Sequence, residues 1–152
     1  AVIGSQIYTT QHKNDYPQQL IQLTQELGIQ NHVSFLEFQK DIASTYNNLD
    51  LLVHTSIHPE PFGRVIAEAL FCETPVIASC YGGTQEIFPP HSENYLVDPR
   101  NTQALAQKMI DVSQNPQVKH DILKIHQYEK EKFDYKICFE KLVNYINDPF
   151  RQ

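Results

Sequence analysis

The chain has 152 residues, 41% of them apolar and 20% charged, and a net charge of −6. This is the length and balance of one globular domain with its own core. The negative charge argues against nucleic-acid binding and offers nothing to an anionic membrane, and no apolar run approaches the roughly 18 residues of a membrane span.

Residues 1–5, an apolar run broken by Gly4, predict a first strand. They carry no basic flank or h-region, so no signal peptide is read there. Leu20, Leu23 and Leu27 predict a helix over residues 16–27, stopped by Gly28. Val33-Ser34-Phe35-Leu36 predicts a second strand and residues 41–48 a short helix. Leu51-Leu52-Val53-His54 predicts a buried strand, residues 63–73 a helix, and Pro75-Val76-Ile77-Ala78 another buried strand. Gly82-Gly83 predicts a turn with a short helix after Thr84, and Tyr95-Leu96-Val97 a last strand. Residues 102–114, 116–132 and 135–146 predict helices, broken at Pro116 and at Phe133-Asp134.

Continuous apolar strands alternating with helices are the pattern of a parallel sheet covered on both faces. Ligands bind beyond the carboxyl ends of such strands, which puts residues 55–63 and 79–84 at the ligand edge. Cys72, Cys80 and Cys138 are odd in number and set in apolar runs, predicting reduced core thiols in a cytosolic protein. The run from Tyr128 to Lys132 predicts a solvated helix face. Phe133, Tyr135, Phe139 and Tyr145 predict the contacts that pack the last helix onto the domain.

Glu68 stands in the apolar run Val65-Ile66-Ala67-Glu68-Ala69-Leu70-Phe71, where a carboxylate needs a partner. One reading is an ordinary surface pair with Arg64, four residues away, with Glu60 a solvated loop residue. The other is a ligand site. Gly63 permits a close backbone approach, the helix it opens presents free amides and a positive dipole end, and Glu68 would accept two ribose hydroxyls. Gly82-Gly83-Thr84 would present a second set of amides. Spacing alone leaves both readings open. His54, His58 and Glu60 do not read as a metal site, because His-x3-His needs a helix, and Pro59 and the strand-to-loop transition argue against one.

The segments Glu60-Pro61-Phe62-Gly63-Arg64-Val65-Ile66-Ala67-Glu68-Ala69-Leu70, Thr74-Pro75-Val76-Ile77-Ala78 and Gly82-Gly83-Thr84-Gln85-Glu86-Ile87 resemble the donor-binding core of family 4 glycosyltransferases. Asn31 to Leu36, Asp50 to Ser56 and Leu96-Val97-Asp98-Pro99 resemble flanking segments of that family in matching order. The resemblance implies an α/β fold: a Rossmann-like parallel sheet with helices on both faces and a helical C-terminal tail. This is the C-terminal half of a GT-B fold, here without its first strand and helix. Residues 1–132 would form the nucleotide-sugar-binding domain and 133–152 a helix packed on it.

The implied activity is retaining, metal-independent sugar transfer from a nucleotide donor, such as a UDP- or GDP-sugar, with no cofactor. Glu60 would be the catalytic residue near the reacting carbon. Phe62, Gly63, Arg64, Val65, Ile66, Glu68, Gly82, Gly83 and Thr84 would bind the donor, and Phe38 and Lys40 the base. The acceptor, a sugar or lipid, would bind a missing N-terminal domain. The implied location is cytoplasmic, or peripheral to the membrane in the full-length enzyme, and the chain alone would be inactive.

The resemblance also departs from the family. Glu73 stands where the family has Gly, at a left-handed helix end, and Gly is also usual near Asn94. His54 stands where Pro is common. The Arg and Lys that neutralise the donor pyrophosphate are absent. The rival readings are a sugar-nucleotide epimerase or hydrolase of the same fold, and a non-catalytic nucleotide-binding or interaction module.

Overall fold

The computed structural model describes residues 1–4 and 16–146, without the side chains of Leu142, Tyr145 and Ile146. Ser5, expected at the end of the first strand, and the Tyr145 side chain, expected to pack on the domain, lie outside the described residues. The chain forms two compact units, Ala1–Ile42 and Ala43–Gln152.

In the first unit β1 (Val2–Ile3) pairs in parallel with β2 (Phe35–Leu36), Val2 opposite Phe35 and Ile3 opposite Leu36. Between them in sequence, α1 (Tyr16–Glu26) starts with Pro17 in its first turn, where a missing amide loses nothing. It ends at Gly28 with φ 69°, and the Ile29 amide returns to the Thr24 carbonyl at 2.9 Å. That is a left-handed helix stop. Most apolar side chains of this unit remain exposed, Leu23, Leu27, Phe35 and Leu36 among them.

The second unit begins within α2 (Ile42–Asn47), of which all but Ile42 belong to it. Its sheet is parallel, with β3 (Leu52–His54), β4 (Val76–Ser79) and β5 (Leu96–Val97) in that order. The central strand β4 is buried along its whole length, as its unbroken apolar run predicts. By pairing, the strands form two parallel sheets, one in each unit. Among the described residues β1 bonds to β2 and β3 bonds to β4, with no strand hydrogen-bonded between β1 and β3.

Helix α3 (Arg64–Phe71) packs on β3, β4 and α6 (Val118–Phe133) and buries Ile66, Ala67, Ala69 and Leu70. It stops in the same hydrogen-bond pattern as α1. Glu73 donates to Leu70 at 2.9 Å and Thr74 to Ala69 at 3.0 Å, but the left-handed residue, with φ 59°, is Glu73. The predicted non-glycine helix stop is therefore present. Asn94 does not take that conformation: it lies in a 3-10 turn over Glu93–Tyr95, and the nearby left-handed residue is His91, φ 69°. Helices α4 (Thr84–Ile87), α5 (Thr102–Gln114) and α7 (Tyr135–Ile146) complete the unit.

Helix α6 turns Ile122, Ile125 and Glu129 inward. The 128–132 run is not a solvated face, because Glu129 is fully buried, three and four residues short of Lys132 and Phe133. The last helix also differs from expectation. Tyr135 is 75% and Phe139 63% exposed, whereas Phe133 packs edge-on against Phe62. The cysteines are free thiols, but Cys138 is exposed and so is not a core residue.

Candidate nucleotide-binding site

The carboxyl ends of β3 and β4 lie side by side, with His54 opposite Ala78 in the register. The loops that follow them meet. Glu60 forms an isolated parallel bridge with Gly82, and the Gly83 amide donates to the Glu60 carbonyl at 2.7 Å. Both glycines are obligatory here. A Cβ on Gly82 would stand 2.5 Å from the Glu60 carbonyl oxygen, and one on Gly83 would stand 2.2 Å from that of Pro61. Their lack of side chains therefore joins two loops. The Gly83 amide is engaged by Glu60, and α4 is a single turn.

Gly63 precedes α3 with φ 90° and ψ 48°. A side chain there would be strained and would press on the Ile66 and Ile87 side chains at 3.0 and 3.1 Å. The Gly63 carbonyl accepts from Ile66 at 2.9 Å and Ala67 at 3.1 Å. The Arg64 and Val65 amides then have no backbone acceptor among the described residues. This helix end can receive an anion.

Glu68 lies on the second turn of α3 with both carboxylate oxygens held. Oε1 pairs with Arg64 Nε at 3.1 Å, and Oε2 accepts from the Tyr46 hydroxyl at 3.1 Å. The surface-pair reading is thus half of the arrangement. Arg64 is 84% exposed and Glu68 37%, so that ion pair is weakly held, whereas Tyr46 is buried at 3% exposure. Burial first, and then the hydrogen bond to Glu68, push the Tyr46 phenol up to about 12. Burial and the nearby Glu68 charge likewise raise the Cys72 thiol. Tyr46 gave no signal in the sequence, because it lies 22 residues from Glu68 on a separate short helix.

The other expected site residues divide by exposure. Phe62 and Val65 are open to a ligand at 45% and 41%, and the Phe62 ring stands edge-on to Phe133 at 5.3 Å. Ile66 and Thr84 are fully buried. The Thr84, Ser79 and His54 side chains each hold a buried polar atom without a hydrogen-bond partner among the described residues, all at or beyond the ends of β3 and β4. Phe38 and Lys40 belong to the first unit, past the end of β2, and are both exposed. Among the described residues no three His, Cys, Asp or Glu side chains are grouped to hold a metal ion. No helix there is long and apolar enough to cross a membrane.

A family model described as glycosyl transferases group 1 matches residues 1–129. The chain is 28% identical over 132 residues to a D-inositol 3-phosphate glycosyltransferase of Saccharomonospora viridis, covering 86% of this chain and 30% of that protein. The Anabaena protein Alr3699/HepE, solved in complex with UDP-glucose, superposes with a TM-score of 0.81 at 32% identity, over 95% of this chain and 39% of that one. The C-terminal domain of a glycosyl transferase group 1 family protein, LpcC of Francisella tularensis, superposes with a TM-score of 0.64 at 25% identity, over 82% and 65% of the two chains. The chain therefore spans less than two-fifths of the length of the first two proteins.

Proposed function

Because this chain belongs to the glycosyl transferases group 1 family, we propose that it is the nucleotide-sugar-binding portion of a retaining, metal-independent glycosyltransferase. Residues 1–132 carry the donor site and 133–152 a C-terminal helix. The acceptor, a sugar or lipid, is held by a further N-terminal domain of the complete protein. The site of action is cytoplasmic or on the membrane periphery, and no cofactor is required.

The observation that carries this reading is the meeting of the Glu60 loop, the Gly82-Gly83 turn and the open end of α3 on one sheet edge. The Arg64 and Val65 amides take the donor phosphates. Glu68 accepts the two ribose hydroxyls, each carboxylate oxygen keeping a lone pair after Arg64 and Tyr46 are served. Phe62, Gly63 and Val65 line the donor. The Glu60 carboxylate has no hydrogen-bond partner among the described residues and is left for the sugar.

In the reaction the acceptor oxygen bonds to the anomeric carbon as the bond from that carbon to the phosphate oxygen breaks. The departing phosphate takes the acceptor proton, and Glu60 stabilises the positive charge that develops on the sugar. UDP is the first nucleotide to test, since the similar Anabaena protein was solved with UDP-glucose. The complete protein, assayed in a chelator with UDP-sugars, should release UDP and yield a product with the donor's anomeric configuration by NMR. An inverted product, or activity that a chelator abolishes, would contradict the mechanism.

A further inference from the structure

We propose that Tyr46 is the positioning residue for nucleotide recognition, fixing the Glu68 carboxylate so that it receives a ribose diol. This rests on the reading of Glu68 given above and adds the group that makes the carboxylate selective.

Of the two groups on Glu68, only Tyr46 is fixed. Arg64 is long and exposed, so its pairing leaves the carboxylate free to rotate. The Tyr46 ring is buried, and its own backbone is tied to the same helix end that carries Glu68. The Thr74 hydroxyl, just after the α3 stop, donates to the Tyr46 carbonyl at 2.9 Å. The Leu49 amide donates to that carbonyl at 2.9 Å as well. Helix α3 thus grips α2 at two points, Thr74 to the Tyr46 backbone and Glu68 to its hydroxyl.

The phenol stays a donor at every pH at which the protein is used, since it is pushed up to about 12. A fixed donor on Oε2 sets the plane of the carboxylate. Two adjacent hydroxyls can then meet the remaining lone pairs without ordering the side chain at the moment of binding. Removing the phenol oxygen should therefore blunt discrimination for the diol and leave the rest of the nucleotide contact intact.

The complete protein and its Tyr46→Phe, Glu68→Gln and double variants are titrated with UDP and with 2′-deoxy-UDP. The wild type should prefer UDP by about tenfold, the value of one hydrogen bond to a charged group. Tyr46→Phe should reduce that preference at least threefold while holding 2′-deoxy-UDP as the wild type does. The double variant should match Glu68→Gln alone, because the two residues act as a unit. Equal losses of UDP and 2′-deoxy-UDP, losses that add in the double variant, or a Tyr46→Phe protein that does not fold would make Tyr46 a core residue only and overturn the proposal. If Glu68→Gln itself keeps the wild-type preference, the underlying assignment of Glu68 fails, whatever Tyr46 does.

Discussion

The Gly83 amide donates to the Glu60 carbonyl at 2.7 Å, which couples the turn after β4 to the loop that carries the candidate catalytic carboxylate. The contact leaves no room for a methyl group, because the obstructing atoms are the Pro61 carbonyl oxygen and carbon at 2.2 and 2.9 Å, both backbone. Gly83→Ala should therefore push the Glu60 loop away from the sheet edge. A destabilisation of about 1–3 kcal/mol is expected from overpacking of this kind. Turnover should fall more steeply than in a surface variant of equal stability. Urea unfolding and an activity assay measured together decide this, and a Gly83→Ala protein with wild-type turnover would mean that the two loops are not coupled.

Glu73 holds a conformation suited to glycine, with φ 59°, at the end of α3. The same stop after α1 uses Gly28 at φ 69°. A left-handed non-glycine residue costs ~1–2 kcal/mol. Glu73 is exposed and makes no side-chain hydrogen bond among the described residues. Glu73→Gly should therefore raise stability by about 1 kcal/mol, partly offset by the looser unfolded chain. Thermal unfolding should move upward, and a lower midpoint would show that the Glu73 side chain contributes something the backbone geometry does not reveal.

Glu129 is fully buried and neither of its oxygens has a hydrogen-bond partner among the described residues. Burial pushes its carboxyl up from the ordinary 4.5 to about 8. The folded state thus holds this proton more tightly than the unfolded chain does. Its contribution to stability is complete below about 4.5 and is lost as the pH rises through about 8. Within that window each pH unit removes at most ~1.4 kcal/mol. Glu129→Gln should match the wild type near the bottom of the window, be more stable at its top, and flatten the slope between. Urea midpoints across the range provide the comparison, and parallel curves for the two proteins would place the charged carboxylate in contact with a partner.

What was legible in the sequence was local. Helix α5 spans the expected residues 102–114, with Pro116 just past its end, and in the structure its neighbour Asn101 caps the start, its side-chain oxygen accepting from the Ala104 amide at 3.0 Å. The β4 run was legible for the same reason, whereas the strained stop at Glu73 followed from the family resemblance, which puts Gly there. Contacts between distant segments were not. Tyr46 and Glu68 meet across 22 residues, and nothing near either one announces the other. Glu129 was hidden in a charged run, although Ile122, Ile125, Glu129 and Phe133 share the helical spacing of a buried stripe. Gly82 and Gly83 read as a turn presenting amides, and nothing beside them announces the Glu60 loop whose backbone lies against both.

The division of labour between Glu60 and Glu68 is the centre of the account, and calorimetry of UDP on the complete protein tests it most directly. Glu68→Gln should weaken UDP by roughly 1.5–3 kcal/mol, the range for a hydrogen bond to a charged group. Glu60→Gln should bind UDP as the wild type does and lose turnover instead. Unchanged UDP affinity in Glu68→Gln, or equal losses of affinity in both variants, would contradict it.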